Sequence, residues 1–455
     1  MVEQAGGGVP PADVSPASAS APDVAATGVA ATGVTATGVT AAPLVPLRRN
    51  RAFAFFWTAQ VLSFTGSQIS ELAIPLTAVL VLAASPSQMG FLTAMEALPS
   101  LLVGLLLGVV VDRVRRGPLL IWCNLAQAAV VATIPVAAWW GILTLGQLYV
   151  VVFVAGSLAL GYALAHSAYI PVLVDRRQLA TANAGVELSD SVTATIGPGL
   201  GGLLVQWLTA PFAVAVDAVS FLVAALLQLW ARRPEPPPPT PARLGASLRE
   251  GLSAFRRHRG VVALTMAKGI PDFFHWGLLA LFVLYAVREL HLSAATIGLI
   301  AMVGSLGPVL AGAIAAPVSR RYGAAWTSVI ATVLFGGAGL LTPIAAGPPW
   351  LVVTVVALGQ FLGGLGVVYL IIVRATIVQR SVPPHLLGRV GAVIRLIEWG
   401  PGPVGGIVGG LLGELVGLRT GLFVLAAGAL LGVPWIAVAA ARGHLDLEPD
   451  EAPSG

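Results

Sequence analysis

Apolar residues run along this chain in unbroken stretches of about twenty or more, without a strict alternation of apolar and polar positions. From Phe53 onward they fall near 53–83, 87–111, 118–140, 145–168, 187–208 and 211–231. A second set falls near 260–287, 293–317, 324–346, 350–373, 391–415 and 420–441. A barrel strand would alternate over about ten residues. Uniform runs of this length instead predict helices that cross a bilayer, where the backbone must satisfy its own hydrogen bonds. The pattern predicts an all-α membrane protein of twelve transmembrane helices.

The polar breaks are of two kinds. Four are short and carry little charge: 84–87, 141–144, 209–210 and 347–349. Others carry arginine. Arg48, Arg49 and Arg51 precede the first run, Arg113, Arg115 and Arg116 follow the second, and Arg176 and Arg177 follow the fourth. Arg320 and Arg321 follow the eighth, Arg380 and Arg389 the tenth, and Arg442 the last. With twelve crossings all of these share one side, leaving Arg288 and Arg419 on the other. Arginine marks the cytoplasmic side, so the expectation is a multi-pass protein of the cell membrane with both termini in the cytoplasm.

Residues 1–50 read as a disordered cytoplasmic tail, with Thr-Gly-Val repeated from Thr27, Thr32 and Thr37. Residues 51–232 and 260–442 read as two six-helix halves, and 443–455 as a cytoplasmic tail. The linker, 233–259, opens with an extended spacer at Pro236–Pro239. It continues with Leu244, Leu248, Leu252 and Phe255 on one helical face beside Arg249, Arg256 and Arg257. That pattern predicts an amphipathic helix lying on the membrane surface.

Composition agrees with a lipid solvent. Hydrophobic residues make up 57% of the chain and charged ones 10%, against about 25% charged in a soluble domain. The formal charge of +5 would suggest nucleic acid in a soluble protein, but here the arginines lie between apolar runs and set orientation. A single cysteine, Cys123, excludes an internal disulfide and a multi-cysteine metal site. The single lysine, Lys268, is followed by Gly269, so the phosphate-binding loop ending in Lys-Ser/Thr is absent. Neither His-Glu-x-x-His nor Gly-x-Ser-x-Gly occurs. No catalytic residue, metal or cofactor is expected, and a membrane enzyme or receptor is the remote alternative.

The two halves repeat one another. Gly108 to Gly117, with Asp112, Arg113, Arg115 and Arg116, follows the second run, and Gly312 to Gly323, with Arg320 and Arg321, follows the eighth. Gly197-Pro198-Gly199-Leu200-Gly201-Gly202 in the fifth run is echoed by Gly400-Pro401-Gly402-Pro403-Val404-Gly405-Gly406 in the eleventh. Parallel six-helix repeats are the build of the major facilitator superfamily. Gly108, Asp112, Arg113 and Arg116 resemble that superfamily's signature loop between helices 2 and 3, although Arg115-Arg116-Gly117 stands where the pattern has Gly-Arg-Arg/Lys. The stretches Pro171–Ala184, Asp217–Phe221 and Val378–Val390 resemble its loop 4–5, sixth helix and loop 10–11. Together they resemble the branch of enterobactin exporters and macrolide-efflux proteins.

That resemblance implies roles for particular residues. Asp112 would engage the positive N-terminus of the eleventh helix, near Gly388-Arg389-Val390, as a conformational latch. Gly197, Pro198, Gly201 and Gly202 resemble the antiporter motif, though Thr193 and Ala184 replace its upstream glycines. Read from the residues alone, the same run is small-residue helix packing.

Ionisable residues inside the runs are costly and face a cavity or a partner. Glu71, Glu96, Asp272 and Glu398 are therefore candidates for a proton or substrate site. Lys268, Asp272 and His275 share a helical face, and Arg395 stands three residues before Glu398, so Asp272 and Glu398 each have a local partner on offer. Glu71 has none. Trp276 and Trp399, inside runs, are candidate walls for a bulky substrate. The expectation is a monomeric secondary exporter, proton-coupled by antiport, for a bulky organic compound such as an antibiotic, siderophore or other secondary metabolite. Its partners would be that small molecule, protons and membrane lipid, with no nucleic acid. An uptake permease or facilitator of a small organic solute is the alternative.

Overall fold

A computed structural model describes residues 47–104, 107, 111, 113–235, 245–443 and 445. The N-terminal repeat, Gly108, Asp112, the proline spacer, Leu244 and most of the C-terminal tail lie outside the described residues. The helices are α1 Arg51–Leu80, α2 Pro86–Leu102, α3 Arg116–Trp139, α4 Leu145–Leu173, α5 Leu179–Leu208 and α6 Ala210–Trp230. They continue with α7 Gly245–Arg257, α8 Arg259–Arg288, α9 Ala294–Gly304, α10 Leu306–Tyr322, α11 Ala324–Gly337 and α12 Leu341–Ile344. The last are α13 Pro349–Ser381, α14 Leu387–Trp399, α15 Gly402–Val416, α16 Leu418–Ala429 and α17 Gly432–Ala441. No strand occurs among the described residues.

Among the described residues, eight helical stretches are long and apolar enough to cross a membrane. They are α3, α4, α6, α8, α9–α10, α11–α12, α13 and α16–α17. Their outer surfaces carry large exposed apolar side chains, among them Trp139, Trp230, Trp326 and Trp350. Such a surface is satisfied by lipid, and the tryptophans suit the headgroup boundary.

Several predicted runs are not single helices. The eighth is two helices meeting at Ser305, the eleventh breaks at Gly400-Pro401, and the twelfth breaks at Leu430-Leu431. The fifth helix starts at Leu179, several residues before the predicted run, because the loop-like stretch after Val174 shortens to one 3₁₀ turn, 176–178. The tenth extends from the predicted end at 373 to Ser381, carrying Arg374 inside it.

An internal repeat is visible in the backbone. The α1–α2 turn has Ala83 at φ 50, Ala84 N bonding Ala78 O at 2.9 Å, and Ser85 capping α2. The α8–α9 turn has His291 at φ 51, Leu292 N bonding Ala286 O at 2.9 Å, and Ser293 capping α9. The offset from Ala83 to His291 also relates Gly90 to Gly298, Gly201 to Gly409, and Gly202 to Gly410.

Candidate functional site

The glycine run of α5 presents two faces. Gly197 and Gly201 rest on α1, where a Cβ at 201 would meet Ile69 Cα at 3.2 Å. Gly202 rests on α9, where a Cβ would meet Gly298 Cα at 2.9 Å, and the Pro198 carbonyl also lies against Gly298. Here α5 is wedged between two helices whose backbones come within reach, which glycine alone permits. The run at α15 repeats the arrangement. Gly405 and Gly409 rest on α8, at Phe273 and Gly277, while Gly406 and Gly410 rest on α2 at Gly90. Gly90 and Gly298, the receiving partners, carry no local motif that sequence reading would single out.

These contacts hold α2 against α15 and α5 against α9. Two polar ties sit at the same end. Arg288, at the end of α8, donates to the Ala83 and Ala84 carbonyls at 3.1 and 2.8 Å. The Ser87 amide, in the first turn of α2, donates to Glu414 of α15 at 3.2 Å. Arg419, the other exception to the arginine pattern, donates to the Pro343 carbonyl at 2.8 Å. Both exceptions to the arginine pattern are thus occupied with backbone carbonyls.

At the opposite end α2 barely touches α14. A cavity of about 940 Å³ lies there between α2, α4 and α14. Leu101, Leu160, Leu164 and Leu396 form much of its wall, with Trp399 and Arg395 on the α14 side. Trp399 meets Trp276 edge to face, ring centroids 6.2 Å apart. Trp276 in turn lies beside Ala97 of α2 and Gly402 of α15. The two tryptophans picked out by sequence therefore stand together, where the closed end meets the cavity.

The four candidate carboxylates separate into two groups. Asp272 and Glu398 are buried in one cluster with Lys268 and Arg374. Lys268 Nζ lies 2.5 Å from Asp272 and 3.8 Å from Glu398, and Arg374 pairs with Glu398. Two cations and two anions cancel. The cluster joins α8, α13 and α14. Sequence reading offered Arg395 as the partner of Glu398, and the structure corrects this. Glu398 faces inward to Arg374, while Arg395 is exposed and lines the cavity. Arg395 makes no hydrogen bond or ion pair among the described residues. An arginine within a span costs about 2.5–3.5 kcal/mol on insertion scales. Lys268 and Arg374 offset that cost with carboxylates; Arg395 does not.

Glu71 on α1 and Glu96 on α2 are both exposed. Glu71 also accepts a hydrogen bond from the Gln68 amide at 2.7 Å. His166 is a packed core residue, stacked on Phe56 at 4.5 Å and on Tyr162 at 5.7 Å.

Gly108 and Asp112 of the expected latch fall outside the described residues. Arg113 is exposed. Arg389 is paired with Glu250 of α7, and a Cβ at Gly251 would meet the Arg389 carbonyl at 2.6 Å. The linker helix thus docks on the start of α14, with Ala254 and Phe255 buried. Part of the apolar face predicted to lie on lipid rests on protein. Upstream, Glu235 accepts from the Arg116 and Gly117 amides, both at 2.7 Å, capping the N-terminus of α3. Sequence reading missed this cap, Arg374, and a buried network in which Asn124 donates to Gln228 and Gln228 to Tyr162. The lone Asn124 and Gln228 within apolar runs were the available signal for the last.

The sequence model of a family described as "Transmembrane secretion effector" matches residues 41–450. Macrolide efflux protein A of Streptococcus pyogenes is 22% identical over 369 residues, covering 78% of this chain and 87% of that protein. An MFS-type transporter of Mycobacterium tuberculosis is 29% identical over 346 residues, covering 70% of this chain and 74% of that one. Among solved structures, the nucleoside transporter NupG superposes with a TM-score of 0.70 at 13% identity, over 87% of this chain and 100% of that one. A bacterial homologue of the iron transporter ferroportin, in an inward-facing state, superposes with a TM-score of 0.68 at 16% identity, over 86% and 99% of the two chains. At these identities the solved structures speak for the fold alone.

Proposed function

The chain belongs to the transmembrane secretion effector family of major facilitator transporters, and on that premise we propose that it is a proton-coupled exporter of a bulky organic compound, working by alternating access. The family is one of membrane-embedded transporters of small molecules, not of enzymes. Relatives named for macrolide efflux support the outward direction. Adding α1, α2, α5 and the α14–α15 pair to the eight apolar spans gives twelve crossings in two six-helix halves. Both termini and the linker then lie on the arginine-bearing, cytoplasmic side of the cell membrane.

The observation that carries the reading is one-sided closure. Glycine contacts, Arg288 and Glu414 join the halves at one end, and the cavity lies between α2, α4 and α14 at the other. A chamber open to the cytoplasm and shut outside is the loading state of an exporter. Glu71 and Glu96, which stand outside the cavity lining, are the exporter's proton carriers, exposed and free of a cationic partner among the described residues. The neutral cluster of Lys268, Asp272, Arg374 and Glu398 holds α14 in place. Asp112 remains the proposed latch to the start of α14 in the opposite state, so Asp112→Asn impairs transport without loss of expression.

Labelling tests the loading state. In a Cys123→Ser background, Gly391→Cys on the chamber wall reacts with a membrane-impermeant maleimide in inside-out vesicles and not in intact cells. Position 391 has room for a side chain, with no atom within 4 Å of an added Cβ. Faster reaction from outside contradicts the proposal.

A further inference from the structure

We propose that the chamber takes organic anions, with Arg395 as the anchor for a carboxylate or sulfonate and Trp399 as the wall for an aromatic body. The inference rests on reading the chamber as the transport site and adds the chemical class of its cargo.

Three observations carry it. First, Arg395 is exposed on the chamber wall with no partner among the described residues. Its neighbour in sequence, Glu398, is taken by Arg374 and balanced within a neutral cluster. A guanidinium in an otherwise leucine-rich wall is a fork aimed at a planar anion, for which it is pre-shaped. Second, neither Glu71 nor Glu96 is among the described residues that line this cavity. A cationic ligand would meet Arg395 there with no carboxylate to offset the repulsion. Third, the volume of about 940 Å³ suits a multi-ring molecule. Trp399, backed by Trp276, gives such rings a face and an edge to pack against. Exposed Arg113 and Arg115, which the arginine pattern puts on the side where the chamber opens, favour the approach of anions.

Two dyes sharing one ring system separate the possibilities: fluorescein, an aromatic carboxylate, and rhodamine 6G, an aromatic cation whose carboxyl is esterified. Binding is read by fluorescence polarisation on the full-length protein in nanodiscs. Fluorescein should bind the wild type, at least about tenfold more tightly than rhodamine 6G. Arg395→Gln should weaken fluorescein by about tenfold or more and Arg395→Lys by less, since the charge is kept. Trp399→Ala should weaken it independently of charge. Tighter binding of rhodamine 6G, or fluorescein binding indifferent to Arg395→Gln, overturns the anion assignment and leaves the chamber as transport site standing. Failure of both dyes to bind overturns the assignment and the chamber reading together.

Discussion

Replacing Glu398 by glutamine tests what the buried cluster is for. The side chains of Lys268, Asp272, Arg374 and Glu398 are 9%, 10%, 12% and 5% exposed, so water does little to screen them. In Glu398→Gln, Lys268 keeps Asp272 at 2.5 Å, but Arg374 loses its carboxylate and stays buried as an unmatched cation. Removing one partner of such a pair costs about 3–5 kcal/mol, a large part of the ~5–15 kcal/mol that holds most proteins folded. The double variant Arg374→Gln, Glu398→Gln removes one cation and one anion and should regain more than half of the loss. Thermal unfolding of the purified protein in detergent, followed by size-exclusion chromatography, ranks the three proteins. A Glu398→Gln protein as stable as the wild type, or a double variant no better than the single, refutes the structural role. If the single variant is stable and transport is lost, Glu398 returns to the proton path.

Other variants probe the closed end and the proton carriers. Arg288→Ala removes two charged hydrogen bonds to the Ala83 and Ala84 carbonyls, each worth about 1.5–3 kcal/mol. A Thr93→Cys probe, buried beside Gly406, should then label at least about tenfold faster from outside; an unchanged rate removes Arg288 from the outer closure. Gly410→Val places a side chain where a Cβ already meets Gly90 Cα at 2.8 Å, so transport should stop while membrane expression persists, as measured by efflux against blotting. Glu71→Gln combined with Glu96→Gln should abolish efflux driven by an imposed pH gradient while leaving dye binding in nanodiscs within about twofold.

Much of the scaffold was legible because membrane crossing constrains sequence so strongly. Run lengths placed the helices, and spaced glycines at 197, 201 and 202 marked α5 as a close-packing helix, with α15 as its repeat. The helix break at Ser305 was hidden, because an apolar run continues through it without any change in hydropathy, whereas Gly400-Pro401 was visible but taken only as an echo of the α5 run. The charged site was less legible. Spacing along one helix correctly joined Lys268 to Asp272. The same rule joined Glu398 to Arg395, whereas the true partner, Arg374, comes from another helix and sits just beyond a predicted run. Pairings between distant segments leave no local period, which also explains why Glu235 as the cap of α3 and Glu250 as the partner of Arg389 went unseen.

Energy-coupled export is the central claim, and dye content in whole cells tests it most directly. Cells loaded with fluorescein diacetate release fluorescein inside, and retention is compared with and without expression of this protein and with and without an uncoupler. Expressing cells should retain less dye than controls, and the uncoupler should erase the difference. Greater retention in expressing cells would mean uptake, and a difference that survives the uncoupler would mean passive passage; either contradicts the account.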